Sequence, residues 1–387
     1  MTDIQGYCNP KFERVADAFA KNFAENQEVG ASIAATVEGE MVVDLWGGFA
    51  DQKTSRLWEK NSICCVFSAT KGVVATVTHM LVERGQIDLD LPIAHYWPEY
   101  AQNGKENVTL RQVMAHTAGM VFIDTELYIG APYDWETMVN ACAAQKPEWE
   151  PGSTLGYHAI TFGWIVGEVM RRVTGEMPGS LVAKEIAETL QAEFFIGLLE
   201  SQDQIVAPLI PLPKPNAPQK SADQEPAPQT YGQRSMSMFF KNVPSGIDPN
   251  NSRDFRGAQL PATGGHTNAR GLATIYRPLA NGGAHAGTQL LKQSTIDEAI
   301  VMQASGPDIV LGVDVNNATG YKLMQSDFGE YLGSRTFGHP GFGGSSAFAD
   351  PDNHVSFAYV MNKLWEGPRG SDPRKKLLAA ALYDCIG

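Results

Sequence analysis

The sequence predicts an α/β protein with an added α lobe: an antiparallel sheet flanked by helices, into which a mainly helical region is inserted. Three observations carry this expectation. A helix and a hairpin open the chain, helical spacing dominates its middle, and short apolar strands followed by a helix close it. One sheet assembled from both chain ends accounts for that order, and no internal repeat competes with it.

Residues 12–23 place Phe12, Val15, Ala16, Phe19 and Phe23 at helical spacing, and that amphipathic helix needs a sheet to lie on. Residues 31–37 and 41–46 supply its first strands, β-rich runs joined through Glu38-Gly39-Glu40, a short glycine-containing connection that reads as a hairpin. From 70 to about 175 the spacing is helical, punctuated by Pro92, Pro98, Gly119, Pro132 and Pro151. The proline density of 208–229 forbids regular helix and interior strand and favours extended chain, either a surface linker or a flap beside a pocket. Residues 267–279 return to helical spacing. Runs at 309–315, 336–338, 345–349 and 355–361 read as strands, and 372–385 as a closing helix. These assignments put 1–65 and 290–387 in the sheet lobe and 66–289 in the helical lobe, with the active site between the two.

Composition narrows the function. The 387 residues are 43% hydrophobic and 19% charged, a globular balance with a sizeable core. The 43 acidic against 30 basic side chains give a net charge of −13, which repels phosphate backbones, so nucleic acid is not an expected partner. The N-terminal residues lack a basic region followed by an apolar one, and the apolar run 186–199 is interrupted by Glu188, Gln191 and Glu193. We therefore expect a cytoplasmic protein with no membrane partner. Its five cysteines are scattered without a C-x-x-C pair, and its histidines show no metal-ligand spacing. No phosphate-cradling glycine pattern follows a strand either, so neither a metal nor another cofactor is expected.

The chemistry starts at Ser68-Ala69-Thr70-Lys71, which follows the apolar run Ile63-Cys64-Cys65-Val66-Phe67 and leads into a helix. A spacing of three puts Ser68 and Lys71 on one helical face, where a partly desolvated lysine can activate a hydroxyl that is otherwise a weak nucleophile. A serine at the helix start also directs backbone N–H groups at developing negative charge. The tetrapeptide read by itself is equally an N-cap serine followed by a solvated lysine. No second S-x-x-K occurs in the chain, and the rival G-x-S-x-G signature is absent.

Four ordered segments point further. Phe67-Ser68-Ala69-Thr70-Lys71-Gly72 is followed by a helix and turn through Leu81-Val82-Glu83-Arg84-Gly85. Next come Val108-Thr109-Leu110-Arg111-Gln112-Val113-Met114-Ala115-His116-Thr117-Ala118-Gly119-Met120, then Pro151-Gly152-Ser153 leading to Tyr157-His158-Ala159, and His339-Pro340-Gly341-Phe342-Gly343-Gly344. Over nearly the whole chain this pattern resembles the serine β-lactamase and penicillin-binding-protein superfamily, and within it the class C β-lactamase-like family VIII carboxylesterases. The resemblance implies the β-lactamase/transpeptidase-like fold. It implies that Ser68 is acylated, that Lys71 and Tyr157 together act as base, and that Tyr157 passes the proton to the leaving group. A phenol titrates near about 10, so cations such as Lys71 must stand beside it for that role. The resemblance further implies an oxyanion hole from the backbone N–H groups of Ser68 and Phe342, with His339 on the substrate side; Gly341 and Gly343 let a substrate carbonyl approach that backbone closely, and His158, next to Tyr157, is expected to line the site. His116, at an expected helix end, reads as a capping residue.

Two departures bear on specificity. His339-Pro340-Gly341 stands where lactamases of this fold carry Lys-Thr-Gly, and Ala159 stands where class C enzymes carry Asn. A permanent cation and two polar contacts for an anionic substrate are lost at those positions. The expected activity is hydrolysis of a small carboxylic ester of short to medium chain, without cofactor. The alternatives are a β-lactamase, peptidase, amidase or acyltransferase using the same site, and a catalytically silent scaffold.

Overall fold

The computed structural model describes residues 2–212, 229–244, 248–368 and 370–387. Among them, ten strands form one antiparallel sheet. Its order is Ile4–Cys8, Glu40–Asp51, Gly30–Val37, Val355–Met361, Ser346–Asp350, Phe337–Pro340, Lys322–Leu323, Val313–Asn317 and Ala304–Asp308, with Arg56–Leu57 pairing off Glu40–Asp51. The first hairpin closes through Glu38 (φ 51°) and Gly39 (φ 79°), two successive left-handed residues of the kind a tight two-residue hairpin demands. Its first strand, Gly30–Val37, pairs with Val355–Met361, so both chain ends meet in the centre of the sheet.

Val355–Met361 is buried along its whole length, as a strand covered on both faces must be. One face is small and hydroxylated: Ser32 accepts from the Ala269 N–H (3.1 Å) and Ser356 donates to the Ala273 carbonyl (2.9 Å), seating the helix Ala269–Ala280 close on the sheet. That helix falls within the stretch 66–289 yet docks on the sheet. The terminal helices Glu13–Glu25 and Pro373–Ile386 are joined by Asn22 donating to the Arg374 carbonyl (3.2 Å). The remaining middle of the chain forms the helical region around Thr70–Glu83, Trp135–Ala144 and Thr161–Thr174. All five cysteines are unpaired thiols. Among the described residues no helix is long and apolar enough to cross a membrane.

The structure corrects two of the expected elements. Residues 309–315 are not one strand: Ala304–Asp308 and Val313–Asn317 form a hairpin, and 309–312 is its turn. The β-rich side chains there mislead because Asp308 Oδ1 accepts from the N–H groups of Val310 and Leu311 (2.9 Å each) and Gly312 turns left-handed (φ 70°). Thr267 belongs to the short strand Gly265–Thr267, and the helix starts only after the Asn268 cap, whose side chain accepts from Gly271 (2.9 Å). The proline-rich stretch enters as extended chain at Ile210, which donates to the Asn362 carbonyl (2.8 Å). Its flap or linker reading falls on 213–228, outside the described residues.

Candidate active site

Ser68 sits on the tight turn Phe67–Ala69 that feeds the helix Thr70–Glu83. Phe67 immediately before it adopts φ 45°, a backbone conformation that a bulky residue takes only when its surroundings impose it. The imposing contacts are visible. Val66 N–H donates to the Gly265 carbonyl (2.9 Å), Gly265 N–H donates to Thr70 Oγ1 (2.9 Å), and Thr70 Oγ1 donates to the Phe67 carbonyl (2.5 Å). On the other side, Ser345 Oγ donates to the Val66 carbonyl (3.0 Å), and a Cβ on Gly341 would lie 2.2 Å from that same oxygen. Glycine at 341 therefore lets the end of strand Phe337–Pro340 reach the serine turn.

Lys71 is fully buried in the first turn of the helix. Its Nζ donates to the carbonyls of Ala159 (2.7 Å) and Ala262 (3.0 Å) and to Ser68 Oγ (3.3 Å). The Tyr157 ring centroid is 4.9 Å from the same Nζ, so the three residues singled out by the motifs converge on one point. Tyr157 is buried and oriented through its backbone, whose N–H donates to Asp308 Oδ1 (3.1 Å). Asp308 thus ties the turn at 309–312 to the phenol, a role no motif announced.

Behind Tyr157 stands a buried imidazole wall. His116 packs on the Tyr157 ring (centroids 4.6 Å apart) and takes φ 65° as the left-handed residue that ends helix Leu110–Met114, the capping role expected of it. His158 does not line the substrate side. It is fully buried, its Nε2 accepts from the Met120 N–H (3.0 Å), and its Nδ1 therefore carries the proton toward the Gly156 carbonyl (2.8 Å). Burial pulls its imidazole down to about 3, so His158 is a neutral spacer that also donates its backbone N–H to His116 Nδ1 (3.2 Å). Burial, reinforced by the positive charges of Lys322 and Lys71, likewise holds His116 well below the ordinary histidine range.

His339 does face the site. Its ring lies 6.1 Å from that of Tyr157, and its Nδ1 pairs with the Pro340 carbonyl (2.8 Å). Phe342 is exposed at the rim, its ring set edge-on to Phe67 (5.5 Å, 87°), beside the serine turn. Gly343 answers to packing: a Cβ there would strike Leu364 at 2.3 Å, and its carbonyl accepts from the Trp365 N–H (2.8 Å). A cavity of about 190 Å³ opens beside the phenol, lined by Tyr157, His339, Pro340, Val315, Ser326 and Lys322. Lys322 belongs to no motif. The only hint of it in the sequence is a lysine between the apolar residues Tyr321 and Leu323, because what brings it here is strand pairing with Gly338.

A serine, an amine and a phenol meeting at a helix start can make and resolve an acyl-enzyme. The sequence profile described as Beta-lactamase matches residues 15–381. The chain belongs to the beta-lactamase family. Esterase/beta-lactamase LipL of Mycobacterium tuberculosis is similar to this beta-lactamase family member, 35% identical over 93% of this chain and 83% of its own. A solved family VIII carboxylesterase superposes with a TM-score of 0.88 at 37% identity, covering 99% of this chain and 100% of that one. A penicillin-binding protein homologue from Caulobacter crescentus superposes at 0.87 with 34% identity and coverages of 99% and 100%. The sheet flanked by helices is thus the β-lactamase/transpeptidase-like fold that the motifs implied, and the protein is a hydrolase of that fold.

Proposed function

We propose that this protein is a serine carboxylesterase that cleaves short-to-medium-chain esters through an acyl-enzyme on Ser68. The observation that carries this reading is Lys71 Nζ, 3.3 Å from Ser68 Oγ, pinned by two backbone carbonyls and 4.9 Å from the Tyr157 ring. An ammonium has three donors, and three acceptors stand within their reach. Ser68 Oγ attacks the ester carbonyl while its proton passes to the Lys71–Tyr157 pair. Negative charge on the carbonyl oxygen is met by the backbone N–H groups of Ser68 and Phe342. Tyr157 returns the proton to the departing alkoxide, and a water activated by the same pair then releases the carboxylic acid and frees Ser68. The similar family VIII carboxylesterase supports ester substrates. So does the chain itself, which has Ala159 and His339-Pro340 where a dedicated lactamase would keep polar and cationic contacts for a β-lactam carboxylate.

The test is hydrolysis of p-nitrophenyl esters from acetate to octanoate, with nitrocefin alongside, by wild type and Ser68→Ala. Esters should turn over well ahead of the cephalosporin, and the alanine variant should lose about 10³-fold or more while keeping its fold. Equal activity of Ser68→Ala would remove the nucleophile from the mechanism, and faster nitrocefin cleavage would reverse the substrate order.

A further inference from the structure

We propose that Lys322 is a second positioning lysine of the reaction, whose charge holds Tyr157 in its proton-accepting form in place of the permanent cation that His339 does not supply. The proposal rests on the acyl-enzyme reading above. Lys322 comes from the strand Lys322–Leu323, which pairs with Phe337–Pro340 on one side and with Asn317 on the other. It is 8% exposed, and its Nζ lies 5.3 Å from the Tyr157 ring centroid, almost the separation of Lys71. Asn317 Oδ1 accepts from Nζ (2.8 Å), while Asn317 Nδ2 donates to the Ala115 carbonyl (3.3 Å), next to the His116 that packs on Tyr157. A neutral amide oxygen holds the ammonium in place, and burial strengthens what its charge does to a neighbour.

The groups that face the phenol can be named element by element. Lys71 comes from the helix Thr70–Glu83, His116 from the end of Leu110–Met114, and His158 from the adjoining turn. His339 comes from Phe337–Pro340, Lys322 from the next strand, and Asp308 approaches through the backbone N–H. Asp314 and Asp327 line the same cavity as Lys322. Burial keeps His116 and His158 neutral, which leaves Lys71 and Lys322 as the lysine charges directed at the ring. Lys71 also contacts Ser68 Oγ, whereas Lys322 approaches the Tyr157 ring from the strand Lys322–Leu323.

The experiment is the pH dependence of kcat/KM on p-nitrophenyl acetate for wild type, Lys322→Met and Lys322→Arg. Removing a cation beside a phenolate makes the phenolate harder to form, so in Lys322→Met the acidic limb should move up by about one pH unit. On the acidic side of that limb the rate should fall about tenfold, and it should recover at higher pH. Lys322→Arg keeps the charge and should leave the limb near its wild-type position. A lysine that merely braces the hairpin would lower the whole profile without moving its limb, and that result overturns the proposal. Lys322→Gln replaces the methionine variant if the latter does not fold. Tyr157→Phe separates this inference from its premise. A fully active Tyr157→Phe sinks the acyl-enzyme reading, whereas a crippled Tyr157→Phe beside an unmoved limb in Lys322→Met sinks the Lys322 proposal alone.

Discussion

Lys71 and Lys105 are near copies of each other in surroundings and opposites in consequence. Both are fully buried. Lys71 Nζ lies 4.9 Å from the Tyr157 ring and donates to Ala159 O, Ala262 O and Ser68 Oγ. Lys105 Nζ lies 5.0 Å from the Tyr100 ring and donates to the carbonyls of Gln102, Ala143 and Gln145. The third acceptor makes the difference. At Lys71 it is a hydroxyl in a strained turn, and the Tyr157 beside the amine lines an open cavity; at Lys105 it is one more carbonyl at the end of helix Trp135–Ala144, where a cation suits the orphaned acceptors. The tyrosines diverge in the same way, since burial pushes the Tyr100 phenol far up, while Tyr157 has Lys322 as a second cation beside it. A buried lysine over a tyrosine is therefore no signature of catalysis until a nucleophile and an opening are added.

The sharpest way to break this comparison is to remove both amines. Lys71→Met should cut kcat/KM on p-nitrophenyl acetate by about 10³-fold, the range expected for loss of a positioned proton-transfer group. Its cost in stability should be the smaller of the two, because among the described residues two carbonyls lose their donor. Lys105→Met strands three. It should lose about 2–4 kcal/mol in urea unfolding, with kcat/KM within about threefold of wild type. If a folded Lys105→Met were as inactive as Lys71→Met, the two sites would not differ in kind as their partners suggest.

How far the sequence already contained this contrast depends on whether a feature is local. The spacing of Ser68 and Lys71, the Glu38-Gly39 hairpin and the terminal helices follow from turn chemistry and periodicity within a few residues, and they stand where the residues place them. Tyr157 is 86 positions from Lys71 in sequence and was reached through the motif pattern rather than from its own neighbourhood. Asp308, Asn317 and Lys322 were not reached at all. Their proximity to Tyr157 is created by strand register, Asn317 against Lys322 and Lys322 against Gly338, which no local pattern encodes. Local propensity also pointed the wrong way at 309–312, where an Asx turn outweighed three β-rich side chains, and at His158, where adjacency to Tyr157 suggested the substrate side although its ring turns inward.

The smallest expected effect tests the comparison from the Lys105 side. Burial pulls this amine from its ordinary 10.5 down to about 8, so between those values the unfolded chain binds a proton that the folded chain does not. Stability rises with pH wherever the unfolded state holds more protons, so this lysine's contribution is least favourable below about pH 8 and improves as the solution becomes more alkaline. Lys105→Met has no such group, and every other titrating residue is common to the two proteins. The difference in urea-unfolding free energy, wild type minus variant, should therefore grow between pH 7 and pH 9.5. A difference that shrinks would mean that the three carbonyls hold the ammonium more tightly than burial expels it. Lys105 would then be a permanently charged clamp on the end of helix Trp135–Ala144.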